Sequence, residues 1–133
     1  MNNILKKQAK LQTKYCKLEH YKLLDPSETD QMNVGQVVDY IRSMQVFINQ
    51  EIEELILEIA GDDRAINKPW SIRYEPIREQ LFTSTPDVKG EAIDVLLFTM
   101  NLLLASGIRP ENIEEEYDKV FSKNTTRQKD RSY

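Results

Sequence analysis

Sulfur and imidazole are nearly missing from this chain: its 133 residues include one cysteine, Cys16, and one histidine, His20. A single cysteine closes no intramolecular disulfide, and the two residues together cannot supply the Cys/His set of a structural zinc site. Any metal held here must be held by oxygen. Glycine and proline are also scarce, at four and five residues, which excludes a loop-dominated or repetitive fibrous chain. The most apolar run, residues 95–105, falls well short of the ~20 residues a membrane span requires. The opening MNNILKKQAK has no long apolar core behind its positive charges, so a soluble, cytoplasmic protein is expected. No stretch alternates with period 2 for long enough to argue for a sheet, and no internal repeat is present.

What is there is helical. Hydrophobic residues make up 40% and charged residues 30% of the chain, a balance that suits one helix-rich globular domain spanning 1–133. Apolar residues at Ile4, Leu11, Tyr15 and Leu18 mark one face of an amphipathic helix over residues 3–24. Asn33 followed by Gln36 reads as a capping box opening a second helix that runs to Ala60 and stops at Gly61. Residues 61–85 read as a loop interrupted by a short helix over 75–82. Thr85-Pro86-Asp87 starts a further helix ending at Gly107, and Pro110 opens the last one, which should fray after Asn124. The expected fold is all-α, a bundle of four to five helices.

Net charge is −4, from 18 basic and 22 acidic residues, and it is unevenly spread. Residues 1–24 carry six lysines against one glutamate, residues 119–131 are basic, and the middle is acidic. No global basic field draws nucleic acid. In the second helix Glu51, Glu54 and Glu58 stand at i, i+3 and i+7, one stripe at 3.6 residues per turn. It lies beside the apolar stripe of Ile41, Ile48, Ile52, Leu55 and Ile59. Stacked like charges repel, so the stripe is either a solvated face or a cation site. A later helix decides between these. There Glu91 and Asp94 open a segment that is apolar nearly all round, and ionised groups entering such a region are costly unless paired or metal-bound.

Glu91, Asp94, Phe98 and Asn101 share one face of that helix, so an amide able to read a ligand follows the acids. If the two helices pack face to face, Glu51, Glu54, Glu91 and Asp94 converge into an all-oxygen site with Glu58 at its edge. Such a donor set selects Mg²⁺, or Mn²⁺ as a substitute, and magnesium held this way takes further oxygens from substrate phosphates. Tyr40, Met44 and Phe47 lie on the face of Glu51 and are placed to line a base pocket or to pack the core. Trp70, between Lys68 and Arg73, is placed either to stack on a base while those cations meet phosphates, or to cap the core.

Glu51-x-x-Glu54 followed by Glu91-x-x-Asp94 resembles the metal-binding motif of the all-α nucleoside triphosphate pyrophosphohydrolases, which include the MazG proteins, the dimeric dUTPases and the dCTP pyrophosphatases. The resemblance covers residues 33–131, with residues 1–24 as an N-terminal extension. Tyr117 to Gln128, YDKVFSKNTTRQ, looks like that superfamily's C-terminal Tyr/Lys/Asn/Arg-Gln signature. Lys68-Pro69-Trp70-Ser71 is similar to an insertion of the dimeric dUTPase branch. The resemblance implies Mg²⁺-dependent cleavage of a nucleoside triphosphate to the monophosphate and pyrophosphate, cleaning or shaping the deoxynucleotide pool. It makes Glu51, Glu54, Glu91 and Asp94 catalytic metal ligands with Glu58 beside them. Lys68, Trp70, Arg73, Asn101, Lys119, Lys123, Asn124 and Arg127 become substrate contacts, in a homo-oligomer. Two positions depart from the pattern. Leu97 stands where the dUTPase branch has a histidine, and Val120 where the family has a lysine, leaving Lys119 or Lys123 to replace it. The competing class is a non-enzymatic helical adaptor whose acidic faces bind a basic partner.

Overall fold

Paired side-chain caps, rather than helix propensity alone, set where the elements of this chain begin. At Asn33 the backbone N–H donates to Gln36 Oε1 at 3.0 Å, while Gln36 N–H donates to Asn33 Oδ1 at 2.9 Å. This reciprocal box satisfies two of the donors that a helix start leaves free. It opens helix α2, Val34–Ala60, which at 1.5 Å per residue is about 40 Å long. Gly61 ends it at φ 66°, a left-handed conformation that glycine adopts without strain. Thr85 Oγ1 accepts the Val88 N–H at 3.2 Å to start α5, Pro86–Ala105, and Gly107 at φ 94° closes it.

The computed structural model describes the backbone of residues 1–16 and 25–131 and the side chains of 1–14 and 25–127. Among the described residues it is all-α, with no strand. The remaining elements are α1, Asn2–Cys16; a 3-10 turn, Pro26–Gln31; α3, Arg64–Asn67; α4, Glu75–Arg78; and α6, Ile113–Arg131. No described helix is long and apolar enough to cross a membrane. Residues 17–24, where the first helix was expected to continue, lie outside the described residues.

Four features differ from expectation, three of them for a local reason. Asp62 makes an unforeseen helix, α3, by accepting the Arg64 N–H at 2.8 Å and its guanidinium at 3.0 Å. Helix α4 ends at Arg78 rather than continuing to residue 82. Gln80 N–H closes onto Ile77 O at 3.1 Å, and the following Thr83-Ser84-Thr85 run before Pro86 favours extended backbone. Helix α6 starts at Ile113, not at Pro110, because Asn112 Oδ1 accepts the Arg109 N–H at 2.8 Å and holds residues 109–112 in a turn. It also runs on to Arg131 instead of fraying after Asn124. The expected core stripe of α2 is also incomplete, since Ile52 and Ile59 are exposed while Ile41, Ile48 and Leu55 are half-buried.

The chain forms two compact units. One consists of residues 1–40 and 100–133, the other of residues 41–99. In the first, Leu5, Tyr40, Met100, Leu104 and Ile113 are buried. Gln8 Nε2 of α1 donates to Asn101 Oδ1 of α5 at 2.8 Å inside that core. Arg109 ties the same unit together. Its guanidinium donates to Leu104 O at 2.7 Å, at the carbonyl end of α5, and to Thr29 Oγ1 at 3.1 Å in the 3-10 turn. A charged donor shared between helix-end carbonyls and a second element contributes about 2 kcal/mol. Arg109→Ala should therefore lower the melting temperature by roughly 7 °C. Arg109→Lys should recover little of it, since one ammonium cannot span both partners. Thermal melts followed by circular dichroism check this, and an unchanged melt would remove Arg109 from the packing.

In the second unit α2 and α5 run in opposite directions, with Phe47 and Phe98 facing at a ring-centroid distance of 5.4 Å and tilted by 32°. Met44 and Val88 are its most buried apolar side chains.

Candidate metal centre

One helical turn from the Phe47–Phe98 pair on each helix stand the acids: Glu51 four residues after Phe47, and Asp94 four residues before Phe98. Because α2 and α5 are antiparallel here, the order of residues along each helix brings Glu51 and Glu54 opposite Asp94 and Glu91. One carboxylate oxygen from each of Glu51, Glu54 and Glu91 lies within 4.8 Å of the other two. Glu51 and Glu91 are half-buried, and each has its Oε2 fully enclosed with no protein hydrogen-bond partner. Asp94, also half-buried, is near enough to act on both of them. Glu58, exposed and one turn beyond Glu54, acts on Glu91 only.

The electrostatics follow from this crowding. Burial first, and then the charge of Glu54, push the Glu51 carboxyl above the ordinary carboxylate range, with Asp94 and Glu91 adding to the rise. Glu91 is raised in the same way, first by burial and then by Glu54, Asp94 and Glu58. Among the described residues no salt bridge reaches them: those present join Arg64 with Asp62 and Lys119 with Glu115 and Glu116. Enclosed carboxylate oxygens without donors cost free energy. A hard divalent cation would satisfy both at once, and the all-oxygen donor set found among the described residues fits Mg²⁺ or Mn²⁺.

The other expected site residues are placed differently. Lys68, Trp70 and Arg73 belong to the same unit as the acids but sit on the exposed segment between α3 and α4, with Trp70 at 79% exposure. Trp70 therefore does not cap the core. Asn101, Lys119, Lys123, Asn124 and Arg127 belong to the other unit. Asn101 is buried with its carboxamide oxygen taken by Gln8. Lys119 lies 3.4 and 3.3 Å from Glu115 and Glu116, and both acids raise its pKa. Lys123, Asn124 and Arg127 are exposed on α6. The Phe47–Phe98 wall was legible only in halves. Each phenylalanine shares a helical face with acids, but nothing in the sequence aligns the two helices.

Carboxylates of Glu51, Glu54 and Glu91 gathered between two antiparallel helices, two half-buried and Glu54 exposed, define among the described residues an all-α protein with a candidate hard-metal centre. The chain is similar to the dCTP pyrophosphatase of Enterobacteria phage LZ5, with 29% identity over 110 residues, covering 74% of this chain and 63% of that protein. No protein-family profile matches the chain, and no solved structure matches it.

Proposed function

We propose that this chain is a Mg²⁺-dependent nucleoside triphosphate pyrophosphohydrolase that converts a deoxynucleoside triphosphate to its monophosphate and pyrophosphate. The observation that carries the reading is the Glu51–Glu54–Glu91 oxygen cluster, two of whose members keep an enclosed oxygen with no partner. The activity named for the phage LZ5 relative supports the same reaction class and makes dCTP the first substrate to try.

In this reading Glu51, Glu54, Glu91 and Asp94 hold the metal with Glu58 at the rim. Bound magnesium would supply charge neutralisation on the phosphates and lower the pKa of a water. The chain's own residues do the rest. One of the carboxylates accepts the proton of the water whose oxygen bonds to phosphorus as the α–β anhydride breaks and pyrophosphate leaves. The Phe47–Phe98 pair keeps bulk water from the floor of the site. Trp70 is proposed to stack on the base, with Lys68 and Arg73 meeting phosphate. Asn101, Lys119, Lys123, Asn124 and Arg127 are proposed as substrate contacts on the sequence resemblance, and the working form is proposed to be a homo-oligomer in the cytoplasm.

The test is a panel of dCTP, dUTP, dATP, dGTP and dTTP, each with Mg²⁺ and then with EDTA, with products separated by ion exchange. Monophosphate and pyrophosphate in equal amounts from at least one substrate, lost on chelation, are expected. Absence of monophosphate under every metal condition would favour the adaptor reading instead.

A further inference from the structure

A groove of about 730 Å³ runs beside the first turns of α6, and its walls all come from one compact unit. Its floor is apolar. Ile113, Tyr117 and Val120 stand at i, i+4 and i+7 along α6, and Leu103 of α5, Ile108 and Met1 complete the apolar lining. Ile113 is buried, but Tyr117 is 65% exposed and Val120 57%. Phe121, 58% exposed, carries the stripe on, with its ring stacked on Tyr117 at 6.1 Å. Apolar surface that continues from a groove onto a helical stripe marks an interaction site.

The rim sets the chemistry of the occupant. Every charged side chain lining the groove is acidic: Glu114, Glu116 and Asp118. Glu116 is shared with Lys119, but Glu114 and Asp118 enter no salt bridge among the described residues. They stand at i and i+4 on one flank of the stripe, a like-charged pair that costs free energy until a cation covers it. A second copy of the same face would set its own Glu114 and Asp118 against these, and an anionic membrane surface or a nucleic acid would be repelled in the same way. The partner must therefore carry apolar anchors with cations beside them. Its backbone must also arrive paired. Among the described residues no strand is present to hydrogen-bond an extended peptide, whose N–H and C=O groups would lie unpaired on the apolar floor. A helix brings those groups already bonded. Ile113 and Val120 are two turns apart, about 10 Å, so a helix of about three turns covers the groove.

We propose that this groove is the docking site for a basic amphipathic helix of another protein, with apolar side chains seated on Leu103, Tyr117 and Val120 and lysines or arginines over Glu114 and Asp118. Docking there does not rest on the hydrolase reading. None of the groove residues is an acid of the metal cluster, and all belong to the unit of residues 1–40 and 100–133.

Fluorescence anisotropy on the full chain tests this with neither metal nor nucleotide, so its outcome is separable from that of the hydrolase reading. The probe is a labelled synthetic helix of about 18 residues with leucines on one stripe and lysines on its flanks. Beside it run the same stripe flanked by glutamates, and the same lysines with serines in place of the leucines. At about 0.15 M salt the leucine–lysine helix should bind with a micromolar or lower dissociation constant, and the other two at least about tenfold more weakly. Tyr117→Lys should weaken binding at least about tenfold. Glu114→Lys with Asp118→Lys should do the same and admit the glutamate-flanked helix instead. Glu51→Gln with Glu91→Gln should bind the probe as the wild type does. The proposal is overturned by absence of binding, by equal binding of the serine peptide, by groove variants that bind unchanged, or by loss of binding in the Glu51→Gln/Glu91→Gln protein. It is also overturned if the wild type sediments as a dimer that Tyr117→Lys dissociates, which would give the face to a second copy. Circular dichroism checks each fold, and should Tyr117→Lys fail to fold, the charge reversal decides alone.

Discussion

Glu91→Gln should reduce triphosphate cleavage by at least about 10³-fold and, in the same protein, raise the melting temperature of the metal-free form. The two effects share one cause. Glutamine keeps the shape of the side chain and one oxygen but removes the charge. A metal ligand worth several kcal/mol in the transition state is lost, at about 1.36 kcal/mol per tenfold in rate. With metal absent, that same charge is a burden, because Glu91 is pressed by burial and then by Glu54, Asp94 and Glu58. Removing it relieves repulsion that the bare fold must otherwise carry, and a gain of roughly 2–5 °C is the expected scale for a domain of this size. Turnover and thermal melts in EDTA, run side by side, check both. An inactive variant that is also less stable would mean that Glu91 holds the fold and not a metal. A stabilised variant that keeps turning over would move the chemistry elsewhere.

The second large effect concerns pH and metal together. Glu51 and Glu91 have carboxyls raised above the ordinary range, so the folded protein binds their protons more tightly than the unfolded chain does. Their contribution is therefore fully present below the ordinary carboxylate pKa and is lost as pH rises through the raised values. In EDTA the wild type should lose stability toward neutral pH relative to a Glu51→Gln/Glu91→Gln variant. Mg²⁺ with nucleotide should reverse that loss. A ligand at about a hundred times its dissociation constant adds roughly 2.7 kcal/mol, which for 133 residues is a rise of roughly 10 °C. The double variant should show neither the pH loss nor the metal gain. Parallel pH profiles for the two proteins would remove the cluster from both roles.

How much of this was legible in the sequence depended on whether the deciding interaction is local. The Asn33–Gln36 box, the Thr85 cap and the glycine stops at 61 and 107 each involve residues within one or two turns, and the structure keeps all of them. The acidic stripes follow from helical spacing alone, and so does their proximity to apolar residues. What the sequence does not carry is register. Nothing local says that Glu54 rather than Glu58 meets Glu91, or that Gln8 crosses 93 positions to reach Asn101. The misplaced boundaries at α3 and α6 have a smaller cause. In each a polar side chain, Asp62 or Asn112, bonds a nearby backbone N–H and makes a turn that propensity alone does not reveal.

The most direct measurement of the central claim is a titration of the wild-type protein with Mn²⁺ in the presence of a non-hydrolysable deoxynucleoside triphosphate analogue, followed by electron paramagnetic resonance, beside the same titration of Glu51→Gln and Glu91→Gln. Free Mn²⁺ signal should be suppressed by the wild type and restored by excess Mg²⁺. Each folded variant should leave the signal close to that of the analogue alone. Suppression that is equal in all three proteins would contradict a metal centre built from Glu51, Glu54 and Glu91.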